Sequence, residues 1–229
     1  MPRLDKFLCE AGVASRRELK QMIRSGAVRV NGSAAVKPEQ PVSETDTVTV
    51  DGRPVEPRRT VTLMLHKPAG YVTSTDDPRD PTVMELLPEK YRRWGLAPVG
   101  RLDKQTEGLL LFTNDGALAH RLISPRYEVE KVYLAVHEGD CTAEDVAAFA
   151  EGLSLRDGTV CKPAVLEPLG EERSRVTVTE GKYHQVRRML AARGHPVSYL
   201  RREREGSLTL GALPKGAFRE LTAEELAAL

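Results

Sequence analysis

The sequence predicts an α+β protein. A small helix–helix–hairpin domain, residues 1–58, precedes a larger domain, residues 59–229, built on a mixed, largely antiparallel β-sheet. Three observations lead there. Two short helical segments at the front run into a strand and the tight-turn pair Asn31-Gly32. After Val61, short strands and helices follow one another without a regular strand–helix beat. Between the regions, residues 52–60 contain two prolines and no periodic pattern, and read as a linker. With 229 residues, of which 40% are hydrophobic and 29% charged, the chain can bury a sizeable core.

In the front segment, Leu4, Phe7, Leu8 and Ala11 recur at helical spacing, and Gly12 suits the helix end. Ser15 followed by Glu18 has the form of a capping box. Leu19, Met22 and Ile23 then supply an apolar stripe that Gly26 closes. Arg16, Lys20 and Arg24 fall on one face of this second helix, with Arg17 beside them. Val28-Arg29-Val30 is a strand, and residues 46–50 form another that ends at Asp51-Gly52.

In the second domain, Val61, Leu63 and Leu65 alternate until Lys67-Pro68-Ala69-Gly70 breaks the strand. Residues 109–113 form a short apolar strand, with Asp115 and Gly116 as turn and helix start. Val132, Leu134 and Val136 make the apolar face of a strand, which turns Lys131 and Tyr133 to the other side. Thr142 with Asp145 opens a helix that Gly152 ends. Val176 and Val178 share one face of a strand, and residues 185–193 form a helix with Val186, Met189 and Leu190 inward.

Several classes are disfavoured at once. The longest apolar run, residues 109–112, is far short of the ~20 residues a membrane helix needs. No apolar stretch of signal length follows Met1, so a cytoplasmic protein is expected. Cys9, Cys141 and Cys161 form no close pair and the five histidines are scattered, so neither a disulfide nor a metal is expected. Net charge is +1, but it is unevenly spread. Residues 1–30 hold seven bases against three acids, and residues 182–204 seven against one. Such segments are either solvated faces or two patches of one polyanion-binding surface.

Asp103, in Gly100-Arg101-Leu102-Asp103-Lys104-Gln105-Thr106-Glu107-Gly108, taken alone is a turn-forming aspartate before a buried strand. Four segments together say more. Lys67-Pro68-Ala69-Gly70-Tyr71-Val72-Thr73-Ser74, the Asp103 loop with Thr113-Asn114-Asp115-Gly116, Glu130-Lys131-Val132-Tyr133, and Glu180-Gly181-Lys182-Tyr183-His184-Gln185-Val186-Arg187-Arg188-Met189 occur in this order. In that order they resemble the RsuA-like pseudouridine synthases. Arg3-Leu4-Asp5-Lys6-Phe7-Leu8, Ser15-Arg16-Arg17-Glu18 and residues 26–32 resemble the alpha-L RNA-binding module that this branch carries.

The resemblance implies an enzyme that isomerises a uridine of ribosomal RNA without cofactor or metal, and a partner, ribosomal RNA, bound by a monomer. It makes Asp103 the catalytic carboxylate, Tyr133 the ring that stacks on uracil with its hydroxyl near C5, and Arg187 the cation that pairs with the carboxylate. Arg101 is the local alternative for that pairing, or an RNA contact. An edge-strand tyrosine and a solvated helix arginine remain the plainer readings of Tyr133 and Arg187. Lys67, Lys131, His184, Gln185 and Arg188 are expected around the uridine or its phosphates, with Lys67 shaping the rim. Arg16, Arg17, Lys20 and Arg24 are expected on RNA phosphates. Tyr183-His184-Gln185, Ser74-Thr75-Asp76-Asp77-Pro78 and Lys162-Pro163-Ala164-Val165-Leu166 lean toward the small-subunit (16S) enzyme. A 23S enzyme and a ribosome-assembly protein with secondary activity are the alternatives.

Overall fold

The computed structural model describes residues 1–43, 45–56 and 59–229. Glu44, Pro57 and Arg58 lie outside the described residues, and with them the expected boundary at residue 58 and part of the expected linker. Two compact units result: Met1–Thr60 with Pro88–Leu96, and Val61–Leu87 with Ala97–Leu229.

In the first unit, helix α1 (Leu4–Glu10) buries Leu4 and Leu8, and α2 (Arg16–Arg24) buries Leu19 and Ile23. The Ser15 hydroxyl accepts from the Glu18 amide while the Glu18 carboxylate accepts from the Ser15 amide. This reciprocal cap, worth about 1 kcal/mol, fixes where α2 starts. It leaves Arg16, Arg17, Lys20 and Arg24 exposed. Strands β1 (Val28–Val30) and β2 (Ser33–Ala34) join through Asn31 and Gly32 at φ 52° and 82°, a turn that suits the strand twist. Strand β3 (Val48–Val50) pairs with β1 and with β4 (Arg53–Pro54), so the start of the expected linker is a strand instead. Helix α3 (Glu89–Arg93) belongs to this unit and brings Tyr91 and Trp94, edge to face at 5.7 Å.

The second unit is the sheet. Its strands are β5 (Thr62–Lys67), β6 (Ala97–Val99), β7 (Glu107–Thr113), β8 (Lys131–His137), β9 (Val165–Gly170), β10 (Arg173–Val178), β11 (Val197–Glu205), β12 (Leu208–Thr209) and β13 (Phe218–Glu220). They run β13-β5-β7-β11-β8-β10-β9, with β6 on β7 and β12 on β11. Among the described residues its strands pair antiparallel, except β7 with β11. Helices α4 (Gly116–Ile123), α5 (Ala143–Glu151), α6 (Gln185–Ala192) and α7 (Ala223–Ala227) complete the unit. Asp115 caps α4 on two amides, and Thr142 with Asp145 makes a capping box for α5. Among the described residues no helix is long and apolar enough to cross a membrane.

Two strand readings change. β5 is buried at every position, so the expected alternation of Val61, Leu63 and Leu65 gives way to a strand covered on both faces. In β8 Val132 is buried as expected, but so are Tyr133, Ala135 and His137, while Leu134 and Val136 are half-buried, so the side expected to be outer is the more fully covered one. The Asp103 loop and the first turn of α6 lie over the Tyr133 side, which makes that side the inner one.

The parallel contact is close. Gly108 of β7 pairs with Arg202 of β11, and a Cβ on Gly108, whose φ is +109°, would lie 2.2 Å from the Arg202 carbonyl oxygen. Gly108→Ala is therefore expected to destabilise the second unit by on the order of 3 kcal/mol, through overlap and backbone strain together. Urea unfolding measures it, and a midpoint matching that of the unsubstituted chain would contradict the close approach.

Candidate active site

The loop between β6 and β7 carries Asp103, and two side chains from the β5 region hold it. Thr73 Oγ1 donates to the Leu102 carbonyl at 2.7 Å and accepts from the Leu102 amide at 3.2 Å. Lys67, 0% exposed at the end of β5, donates from Nζ to the carbonyls of Pro68, Asp103, Lys104 and Thr106 at 3.1, 3.2, 3.2 and 2.9 Å. The Asp103 and Lys104 carbonyls also accept from the Thr106 and Gly70 amides, and the ammonium shares its three N–H groups among all four oxygens. Burial lowers the Lys67 pKa to about 8, although the charges of Asp103 and Glu107 pull it back up.

So held, Asp103 turns its carboxylate into a cleft, with the side chain 32% exposed. Arg101, Tyr133, Glu180, Lys182, His184 and Gln185 also line the cleft. His184 Nε2 stands 3.5 Å from Asp103 Oδ1. It is placed there by a left-handed backbone, φ 49°, at the start of α6, and its ring stacks on Tyr183 at 3.9 Å. Tyr133 is buried, and burial raises the pKa of its hydroxyl, against the pull of the neighbouring Arg202 guanidinium.

Asp103, Tyr133, His184, Gln185 and Arg101 thus meet at one cleft, but several of the expected roles change. Arg187 does not reach the carboxylate: its guanidinium donates to the carbonyls of Val197 at 3.0 Å and Gln105 at 3.4 Å. Among the described residues, the ion pair recorded for Asp103 is with His184, because the turn that opens α6 delivers His184 to it. Gln185 accepts from the Lys182 amide and donates to Glu180, so it shapes the loop before α6 and is not free for the base. Arg188 pairs with Asp157 at 2.5 Å and is not a free phosphate contact. Lys131 donates to the Val129 carbonyl on the inner face of β8, where burial lowers its pKa, so it is not an exposed RNA contact. Lys67 is a buried strut and does not shape the rim.

The residues that composition and spacing did not reveal are Thr73, Arg202 and Glu205. Arg202 and Glu205 sit in Arg201-Arg202-Glu203-Arg204-Glu205, which reads as a solvated charge run, yet the pair is 2% and 1% exposed.

A metal would need free donor atoms. His137, Cys141 and His195 bring theirs within 4.8 Å of one another. Both nitrogens of His195 are already engaged, Nδ1 with the Glu138 carbonyl at 3.0 Å and Nε2 with Asp145 at 3.1 Å. Burial disfavours the charge on this ring, but those two partners outweigh it and raise its pKa. His195 therefore fits an ionic strut that ties α5 to the start of β11, and both His137 nitrogens are likewise engaged, with the Gly139 carbonyl and the Ser174 hydroxyl. A roomier hollow of about 480 Å³, lined by Val132, Thr177 and Arg201, opens on the sheet face opposite Tyr133.

Comparison with known proteins shows the family. Residues 61–192 match the family model described as RNA pseudouridylate synthase, and residues 2–48 match the S4 domain. An uncharacterized RNA pseudouridine synthase, YtzG, of Bacillus subtilis (strain 168) is 43% identical over 98% of this chain and 96% of its own. Ribosomal small subunit pseudouridine synthase A of Escherichia coli (strain K12) is 42% identical over 99% of both. A crystal structure of a pseudouridylate synthase superposes with a TM-score of 0.70 at 35% identity, covering 100% of this chain and 99% of that one. With the matched domain spanning the Asp103 loop, Tyr133 and the start of α6, the chain belongs to the RNA pseudouridylate synthase family, as an isomerase of the RsuA type with an S4 domain in front.

Proposed function

We propose that this enzyme converts one uridine of 16S small-subunit ribosomal RNA to pseudouridine during ribosome biogenesis, acting in the cytoplasm as a monomer. The observation that carries the reading is the Asp103 carboxylate, held at the mouth of a cleft with Tyr133 beneath it. The small-subunit assignment leans on the likeness to small subunit pseudouridine synthase A.

The chemistry asks little else of the protein. The bond from C1′ to N1 breaks, the bond from C1′ to C5 forms, one proton leaves C5 and one arrives at N1. Composition and oxidation state are unchanged. Attack on C1′ and removal of the C2′ proton both need a charged carboxylate at the sugar, and Asp103 is the group to supply it. Tyr133 offers a ring face to the base and a hydroxyl to the C5 proton.

The cleft is open to solvent on one side, and His184 stands over the Asp103 carboxylate there. A flipped-out nucleotide that brings its sugar to this carboxylate takes the place of His184 beside it. Arg16, Lys20 and Arg24 on α2 supply sequence-independent grip on phosphates.

Asp103→Asn keeps the shape and removes the charge. Ribosomal RNA from cells carrying only that variant is expected to lose one pseudouridine of 16S RNA, read by carbodiimide primer extension of both ribosomal RNAs. Retention of every site contradicts the catalytic role, and loss from 23S RNA contradicts the substrate. Replacing Arg16, Lys20 and Arg24 with Ala is expected to weaken binding to ribosomal RNA and flatten the log–log salt slope by roughly 2. Filter binding across a salt series measures it.

Lys67 gives a pH signature. Below about pH 8 its ammonium is charged both folded and unfolded. Between about 8 and 10.5 the folded chain releases a proton that the unfolded chain keeps. Its titration therefore raises global stability with pH in that window, while the loop loses a donor. The turnover number is expected to decline above about pH 8 although urea resistance does not. Lys67→Met should abolish that decline and lower turnover at every pH by about tenfold or more, through loosening of the Asp103 loop.

A further inference from the structure

Beneath Tyr133 lies an ion pair that stability alone does not explain. Arg202 and Glu205, both on β11, meet at 3.1 Å with their side chains 2% and 1% exposed. A buried pair of this kind is commonly no more stabilising than apolar residues of the same volume. This one is also incompletely satisfied: Arg202 Nη2 and both Glu205 carboxylate oxygens lack a well-aligned hydrogen bond. Arg202 Nε donates to the Leu109 carbonyl of β7 at 2.8 Å.

The backbone is arranged to bring the pair to Tyr133. In a regular strand, residues three apart point to opposite faces. Along the β11–β8 ladder Arg202 stands opposite Tyr133, but Arg204 stands opposite Val132 and Glu205 opposite Lys131, so Glu203 is an extra, bulged residue. The bulge returns Glu205 to the face that Arg202 shares with Tyr133 and Lys131. Without it, Glu205 would point to the other side of the sheet. The groups facing the phenol are then Arg202 and Glu205 from β11, Lys131 from its own strand, and Asp103 from the loop above.

The geometry points to Arg202 as a positioning residue for Tyr133, held by Glu205 across the bulge, so that the phenol oxygen stays fixed in the cleft with Asp103 where the C5 proton leaves. This rests on the isomerase reading of Asp103 and Tyr133 given above. The hydroxyl takes the C5 proton as it releases its own to water, and N1 takes one from water, so the phenol and the proton count are unchanged. Arg202 supplies a fixed cation beside the oxygen while that exchange passes, and Leu109 and Glu205 keep the guanidinium from turning away.

Arg202→Lys in the full chain tests this, because an ammonium cannot hold the Leu109 carbonyl and Glu205 with one rigid fork. The substrate is total ribosomal RNA from cells lacking the enzyme, made with ordinary or 5-deuterated uridine. Turnover is expected to fall about 10²-fold, with KM changed less than about threefold and a larger isotope effect from the deuterium than in the unsubstituted enzyme. Unchanged turnover, or a fall with the isotope effect unaltered, overturns the proposal. If Arg202→Lys does not fold, Glu205→Gln carries the same reading, since it keeps the guanidinium and removes what holds it. Asp103→Asn in the same assay separates the two levels. If it is active, the isomerase reading of the site falls and this proposal with it; if it is inactive while Arg202→Lys turns over normally, only the role of Arg202 falls.

Discussion

The Lys67 ammonium is the contact on which the cleft depends. A loop that must carry an exposed carboxylate cannot also be a strand, so the carbonyls around Asp103 have no ladder to join. Left unmade, each buried carbonyl bond costs about 1–3 kcal/mol. The Asp103 and Lys104 carbonyls also take the Thr106 and Gly70 amides, so these contacts serve chiefly to offset the several kcal/mol needed to bury one ammonium. Lys67 resolves both costs by meeting all four carbonyls from the end of a strand that is buried on both faces. Its charge is part of that solution, because a neutral amine has fewer donors to share. The same cation lies under the carboxylate that the reaction needs ionised.

A second buried cation repeats the device on the neighbouring strands. Arg202 is bonded to β7 through the Leu109 carbonyl and stands across the ladder from Tyr133 on β8. Since β7 leaves the Asp103 loop directly, Arg202 sets the strand that bears the carboxylate against the strand that bears the phenol. The parallel β7–β11 pairing makes this possible, and Gly108 permits it by having no side chain where the Arg202 backbone passes. Lys67 thus governs the loop and Arg202 the distance between strands.

Local features were readable in the residue order, and long-range ones much less so. The capping box at Ser15, the Asn31-Gly32 turn and the cap at Asp115 depend on neighbours a few residues away, and each forms where its residues predict. The inner face of β8 is not legible locally, because Val132, Leu134 and Val136 are the more apolar row, whereas the loop and helix lying over Tyr133 decide which side is more fully covered. The Arg202–Glu205 pair is hidden in the sequence for a related reason. Alternating charges read as solvated unless the bulge and the partner strand are known, and neither leaves a mark in the local sequence. The resemblance gives the carboxylate to Arg187, but the left-handed turn at His184 brings the histidine there.

Most of the motif around Asp103 is then support for one carboxylate. Of the residues from Arg101 to Gly108, Arg101 and Asp103 offer charge to the cleft. Leu102 is clasped by Thr73, Lys104 pairs with Asp80, and Glu107 is held by Lys215 and Tyr199. The Thr106 carbonyl is held by Lys67, and Gly108 yields to Arg202. A carboxylate placed on a strand would be fixed by the ladder alone. One placed on a loop, where it can meet a nucleotide, needs every neighbour fastened separately, and that requirement is why the motif is long although its chemistry sits in a single residue.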